Sequence, residues 1–195
     1  MSGTASTSVR PGAGLRSAAW LAFALLVVIM LGSAFIRFAQ GDATLEATAE
    51  AARWVYRVAA IIFVLVIAGV AVLAWDELRP ASRVVLGAQV GLAIALAFLG
   101  RITPSDHPIV AFGNPLGGLA LVGLAWWIVL AASPATGRAR PLLGGALVAA
   151  GCAAIAALVV RMPGLVAGLA VQVAATAALV AGVTLLYRRG NRCES

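Results

Sequence analysis

Six stretches of this sequence run for 17 to 24 residues with almost no charge, and that feature decides the fold class. They fall at about 17–36, 56–75, 84–100, 109–132, 141–160 and 164–187. As helices rising about 1.5 Å per residue, they are long enough to cross a hydrocarbon core of about 30 Å. Lipid offers no hydrogen-bond partners, so a spanning segment must satisfy its backbone internally, which at this length means a helix. The composition agrees. Of 195 residues, 63% are hydrophobic, and the mean hydropathy of +1.03 describes more apolar surface than a soluble domain of this size can bury. The expected fold is all-α: a polytopic membrane bundle of about six transmembrane helices over residues 16–188. Residues 1–15 and 189–195 form short tails, the first rich in Ser, Thr, Gly and Pro and read as disordered. The first span is too long for a signal-peptide core and reads as an uncleaved anchor.

The net charge of +7 comes from fourteen arginines and no lysine. These are spread over every loop instead of forming one patch, which excludes nucleic acid as a partner. Nine of them (Arg10, Arg16, Arg79, Arg83, Arg138, Arg140, Arg188, Arg189 and Arg192) fall on one side. Arg37, Arg53, Arg57, Arg101 and Arg161 fall on the other. The positive-inside rule then places both termini in the cytoplasm. Trp20, Trp75, Trp126, Trp127 and Tyr187 mark the same cytoplasmic ends, as an interfacial belt would. Cys152 lies within a span and Cys193 in the tail, too far apart to pair within one chain.

Polar residues gather at the outer face. FAQGDATLEATAEAARWVYR (38–57) reads as a helical lead-in capped by Asp42, with Glu46 and Glu50 one turn apart and Arg53 and Arg57 on one face. Two readings stay open. One is a locally neutralised interfacial helix; the other is an arginine pair gripping a carboxylate, such as a haem propionate or an anionic lipid. GRITPSDHPIVAFGN (100–114) holds the single histidine, His107, beside Asp106. A solvated turn, a proton-handling pair and a ligand shared with a partner subunit are the alternatives there. Asn114 and Gln172 are polar groups within spans and should face the interior, bonding either neighbouring helices or a ligand. Gly87/Gly91, Gly113/Gly117 and Gly164/Gly168 have the four-residue spacing that lets helices approach closely, and Pro115 should kink its span. There is no phosphate loop, no zinc-protease motif, no nucleophile elbow and no carboxylate within the spans. That last absence argues against a proton-driven transporter.

LLVVIMLGSAFIRFAQ (25–40) resembles the first span of the haem A synthase family, which ends in a similar glycine-then-arginine pattern. ARWVYRVAA (52–60) is similar to that family's second span. LGAQVGLAIALAFLGRITP (86–104) followed by PIVAFGNPLGGLALVGLAWW (108–127) resembles its third and fourth. The likeness covers residues 17–132, and VVRMPGLVAGLAVQ (159–172) echoes the third-and-fourth hairpin in outline. The family has two four-helix halves, ligates haem with paired histidines near the outer face, and converts haem O to haem A for cytochrome oxidase. Here Tyr56 stands where a ligand histidine would precede Arg57, Asn114 where the fourth-span histidine would fall, and Gln172 near the equivalent place in the last hairpin. Two spans are also missing. The resemblance therefore implies a shortened member, in the bacterial inner membrane, that has lost its haem-ligand histidines. Arg53, Tyr56, Arg57 and Asn114 would be the remnant of a haem pocket, now open to lipid. The expected role is an accessory or assembly subunit of a respiratory haem-copper oxidase with no cofactor of its own. Its expected partners are membrane lipids and oxidase or other membrane subunits. The alternatives are a haem-binding enzyme of haem A synthesis, with Tyr56, Met162 or His107 as unusual ligands, and a small-molecule or lipid transporter.

Overall fold

The computed structural model describes residues 12–39, 42–102, 108–133, 140–161 and 164–190. Their regular structure is helical throughout: α1 (Ala13–Phe38), α2 (Glu46–Leu73), α3 (Pro80–Ile102), α4 (Pro108–Ala131), α5 (Pro141–Arg161) and α6 (Leu165–Gly190). All six are long and apolar enough to cross a membrane, so this is a multi-pass helical membrane protein.

Local signals set the helix starts. α3, α4 and α5 each begin on a proline, whose fixed φ suits the first turn and whose missing N–H would have had no partner there. Asp42 does act as a cap, but of a short 3₁₀ turn, Ala43–Leu45, that runs into α2. Its carboxylate accepts from the Thr44 amide at 2.9 Å and the Thr44 hydroxyl at 2.6 Å. The turn from α2 to α3 is closed by Arg83. Its Nε donates to the carbonyls of Trp75 (2.9 Å) and Leu78 (3.0 Å), and its guanidinium lies 5.6 Å from the Trp75 ring centre.

Consecutive helices pack as three antiparallel hairpins, α1–α2, α3–α4 and α5–α6. One helix of each hairpin turns inward: α1, α4 and α6 meet at the centre, with α2, α3 and α5 around them. The inner helix α4 has the largest buried share of the six. The up-and-down order gives the bundle two ends. The start of α1, the end of α6 and the α2–α3 turn share the terminal end, and the α1–α2 turn marks the opposite, turn end.

Close approach is concentrated in α5–α6. A Cβ built on Gly144 would lie 2.8 Å from the Gly182 carbonyl oxygen, and one on Gly182 would lie 2.7 Å from that of Gly144. One turn-pair further along, Gly151 stands in the same relation to the Ala175 carbonyl at 2.9 Å. The four-apart glycine pairs are only half used. Gly113, Gly117 and Gly168 meet Leu99, Leu96 and Phe38, whereas Gly87, Gly91 and Gly164 face open space. The reason is the face on which each pair falls. The inward row of α6 (Gly168, Gln172, Ala175, Leu179, Gly182) steps alternately by four and three, the seam of left-handed packing near +20°. Gly113 and Gly117 lie on such a seam against α3, whereas Gly87 and Gly91 lie on the outer side of α3. The outward faces carry large exposed apolar side chains, among them Trp54, Ile61, Leu65 and Leu142, as a lipid-facing surface does.

Candidate functional site

Near the turn end, α1, α4, α5 and α6 leave a partly open cavity of about 30 Å³ between them, with Ser33 exposed at its rim. Ser33 and Arg37 of α1, Asn114 of α4 and Gln172 of α6 line it, against apolar walls that include Met30 and Leu158. Asn114 and Gln172 sit in the second turn of helices that both begin at this end, which sets the cavity about 10 Å below the helix starts. The space admits a water or two, since one water needs roughly 10–15 Å³. Gln172 is 4% exposed, and its side-chain Nε2 has no hydrogen-bond partner. Its backbone carbonyl accepts from the Thr176 hydroxyl at 2.8 Å. The two carboxamides expected to face the interior thus meet in one place, and Arg37 joins them.

Arg37 entered the sequence analysis only as a loop charge and as part of a family pattern. The signal for its role is the depth of Asn114 and Gln172, which puts the last turn of α1 alongside them. Gln89 was missed outright. It is 1% exposed, its Nε2 also lacks a partner, and it borders a void of about 10 Å³ lined by Ala22, Ile67, Val70 and Ala125 among others. It is the one polar side chain in residues 84–100, so the argument applied to Gln172 would have found it.

The other expected site residues lie elsewhere. Arg53 borders an open groove of about 340 Å³ with Asp42 and Glu46, and its guanidinium donates to the Glu50 carboxylate at 2.9 Å. Tyr56, 37% exposed, lies beside Gly32 of α1, and Arg57 is exposed. Tyr56 falls on the row of Ala49, Phe63 and Val70 that faces α1, while Arg57 lies to its flank, and none of Arg53, Tyr56 and Arg57 is among the residues that line the Asn114 cavity. Arg53 and Tyr56 are set against α1 instead, at the α1–α2 boundary. His107, Asp106, Met162 and Cys193 lie outside the described residues, as do residues 1–11 and 191–195. α1 begins at Ala13 with Leu15 buried, so the helix starts inside the expected tail, because Leu15 packs into the terminal-end core. Cys152 is a half-buried free thiol packed against the main core. Asp42 titrates below the usual carboxylate range, because the Thr44 hydroxyl and then the Thr44 amide hold its ionised form.

Among the described residues, neither imidazole nor thiolate lines these spaces. Cofactor pockets span about 300–1,000 Å³, an order of magnitude above the Arg37 cavity. The wider Arg53 groove presents Asp42 and Glu46, carboxylates that repel propionates. Among the described residues, no three His, Cys, Asp or Glu side chains converge as a metal-binding group. A third depression, about 270 Å³ between α1 and α6, is apolar apart from Thr176 and opens toward the lipid-facing surface. No protein-family model, curated protein or solved structure matches the chain.

Proposed function

We propose that the protein is an accessory or assembly subunit of a respiratory haem-copper oxidase. In this reading it is haem A synthase-like in descent, sits in the bacterial inner membrane with both termini cytoplasmic, and has no haem chemistry of its own. One observation carries the second half of that statement. Where a haem-bearing bundle would hold a porphyrin, these helices close to about 30 Å³ around Asn114 and Gln172. A bundle closed within and apolar without acts through helix-to-helix and helix-to-lipid contact. The oxidase as partner rests on the resemblance of residues 17–132. The lack of carboxylates within the spans weighs against coupled transport.

The test is purification from native membranes in mild detergent, with absorbance spectra in oxidised and reduced states and identification of co-purifying subunits. A colourless protein that brings down oxidase subunits is the expected result. A stoichiometric Soret band abolished by Tyr56→Phe or Arg57→Ala would overturn the proposal in favour of an enzyme of haem A synthesis. A colourless protein with no oxidase subunits would remove the partner.

A further inference from the structure

The α1–α6 seam is the open side of the central triad. α2 packs on α1 and α3, and α5 on α6 and α4, so among the described residues no outer helix packs closely on both α1 and α6. The depression of about 270 Å³ lies on that side, between Phe23, Val27 and Leu31 of α1 and Val173, Ala177 and Val180 of α6. Its one polar wall group, the Thr176 hydroxyl, donates to the Gln172 carbonyl of its own helix at 2.8 Å, which leaves an apolar lining. The depression spans about two helical turns on each side, short for a partner helix and suited to a flexible chain. At the turn end the Phe38 ring crosses to Gly168 and closes the seam. Toward the terminal end, one face of α1 carries Arg16, Trp20, Phe23 and Val27 in order, at steps of three or four residues, and Arg16 and Trp20 are exposed. Arg16 stands about 6 Å along the axis from Trp20 and about 16 Å from Val27. Its side chain leans toward the start of the helix, and so toward the membrane surface. A phospholipid has the same order of chemistry along its length: a phosphate, then ester groups at the interface, then hydrocarbon. An arginine suits the first, an exposed tryptophan the second and the apolar depression the third.

We propose that the α1–α6 seam holds one anionic phospholipid from the leaflet at the terminal end. Its phosphate meets Arg16, its ester groups lie beside Trp20, and one acyl chain fills the depression. Charge complementarity at Arg16 fixes which way the lipid points and which leaflet supplies it. The lipid covers the side of the triad that the protein's own outer helices leave open, whether or not an oxidase is the partner.

The experiment is native mass spectrometry of the full chain in mild detergent, with dioleoyl phosphatidylglycerol or dioleoyl phosphatidylcholine added in steps. The wild type should retain one phosphatidylglycerol per chain and hold phosphatidylcholine about fivefold more weakly, the effect of one arginine near an anionic lipid. Arg16→Gln should lower the phosphatidylglycerol affinity to the phosphatidylcholine level. Arg140→Gln, exposed at the same end just ahead of α5, should leave both affinities unchanged. Ala177→Phe fills the depression and should weaken both lipids by about tenfold, the contribution of about two buried methylenes. Should that variant fail to fold, Val173→Phe, at an exposed position on the same wall, makes the same comparison. No retained lipid, equal affinity for the two lipids, or retention that neither Arg16→Gln nor the filling variants alter would overturn the proposal. A dimer mass that Ala177→Phe removes would overturn it too, by assigning the seam to a second copy of the chain.

Discussion

The two ends of the bundle handle polar groups in opposite ways. At the terminal end they are chained together. Trp126 donates its indole N–H to the Thr184 hydroxyl at 2.8 Å, and that hydroxyl donates to the Val180 carbonyl at 2.7 Å. Trp20, Phe23 and Trp126 pack ring against ring, and Trp127 meets Tyr187 edge-on with centroids 4.9 Å apart. The tryptophans expected as an interfacial belt thus also act as internal fasteners between α1, α4 and α6. At the turn end, Arg37, Asn114 and Gln172 surround a space instead of closing it. Along α1, α4 and α6, close ring and hydrogen-bond packing at one end and a small polar cavity at the other are thus separated.

The sharpest way to break the contrast is to wedge the closed end. Gly144→Leu would drive a side chain into the Gly182 backbone, which cannot yield as a flexible side chain can. It should cost about 3 kcal/mol, the upper range for overpacking, read as a lowered Tm in detergent. Gly87→Leu, built into open space, should stay within about 0.5 kcal/mol of wild type in the same assay. Matching losses would mean that α5–α6 does not depend on the glycine contact.

A smaller effect, of opposite sign, separates the two buried glutamines. Gln89→Leu removes an unpartnered donor from apolar surroundings and should raise stability by about 1–3 kcal/mol in denaturant titration. A loss there would show that Gln89 has a partner, such as a trapped water. Smaller still is Thr184→Val, which deletes the Trp126 bond. Interhelical hydrogen bonds in membranes average about 0.6 kcal/mol, so the cost should be near that, with a shift in tryptophan emission as the bond is lost.

The least effect is expected at the surface of the turn end. Asp42 has a folded-state pKa below its unfolded value, so its stabilising contribution is present above the unfolded pKa. It is lost as pH falls through the folded value. Asp42→Asn should therefore flatten the acid limb of the stability profile below about pH 4 and leave the neutral range almost unchanged. An unaltered acid limb would place that pH dependence in other carboxylates.

The six helices were legible because charge is costly in lipid, so arginines, aspartates and prolines mark the span limits. The lead-in before α2 was legible for a similar reason, in the Asp42 signal and the charged face that follows. The site was legible in kind but not in place. A polar residue in a span announces that it faces inward, which held for Asn114 and Gln172. Which of them meet depends on which helix of each hairpin turns to the centre, and nothing local to the chain encodes that choice. Arg53 and Arg57 illustrate the converse. Their spacing is correct for a shared face, but Arg53 pairs with Glu50 at the α1–α2 groove and Arg57 is exposed, so the two do not converge on one ligand. The Gly144–Gly182 contact escaped for a related reason: it joins two helices, and neither glycine belongs to a four-apart pair.

The central triad has a consequence for how the protein is made. Of these six helices α1 is synthesised before the other five and α6 after them, yet Met30 and Phe38 of α1 pack against residues of α4 and α6. At about 5–20 residues per second, the roughly 150 residues after α1 take on the order of 10–30 s to emerge. During that interval α1 gains α2 and then α4 as neighbours, and the part of its inward stripe that faces α6 is covered last. The central triad is complete only when α6 has been made, and a truncation that removes α6 would strip α5 of its main partner as well as open one side of α1 and α4.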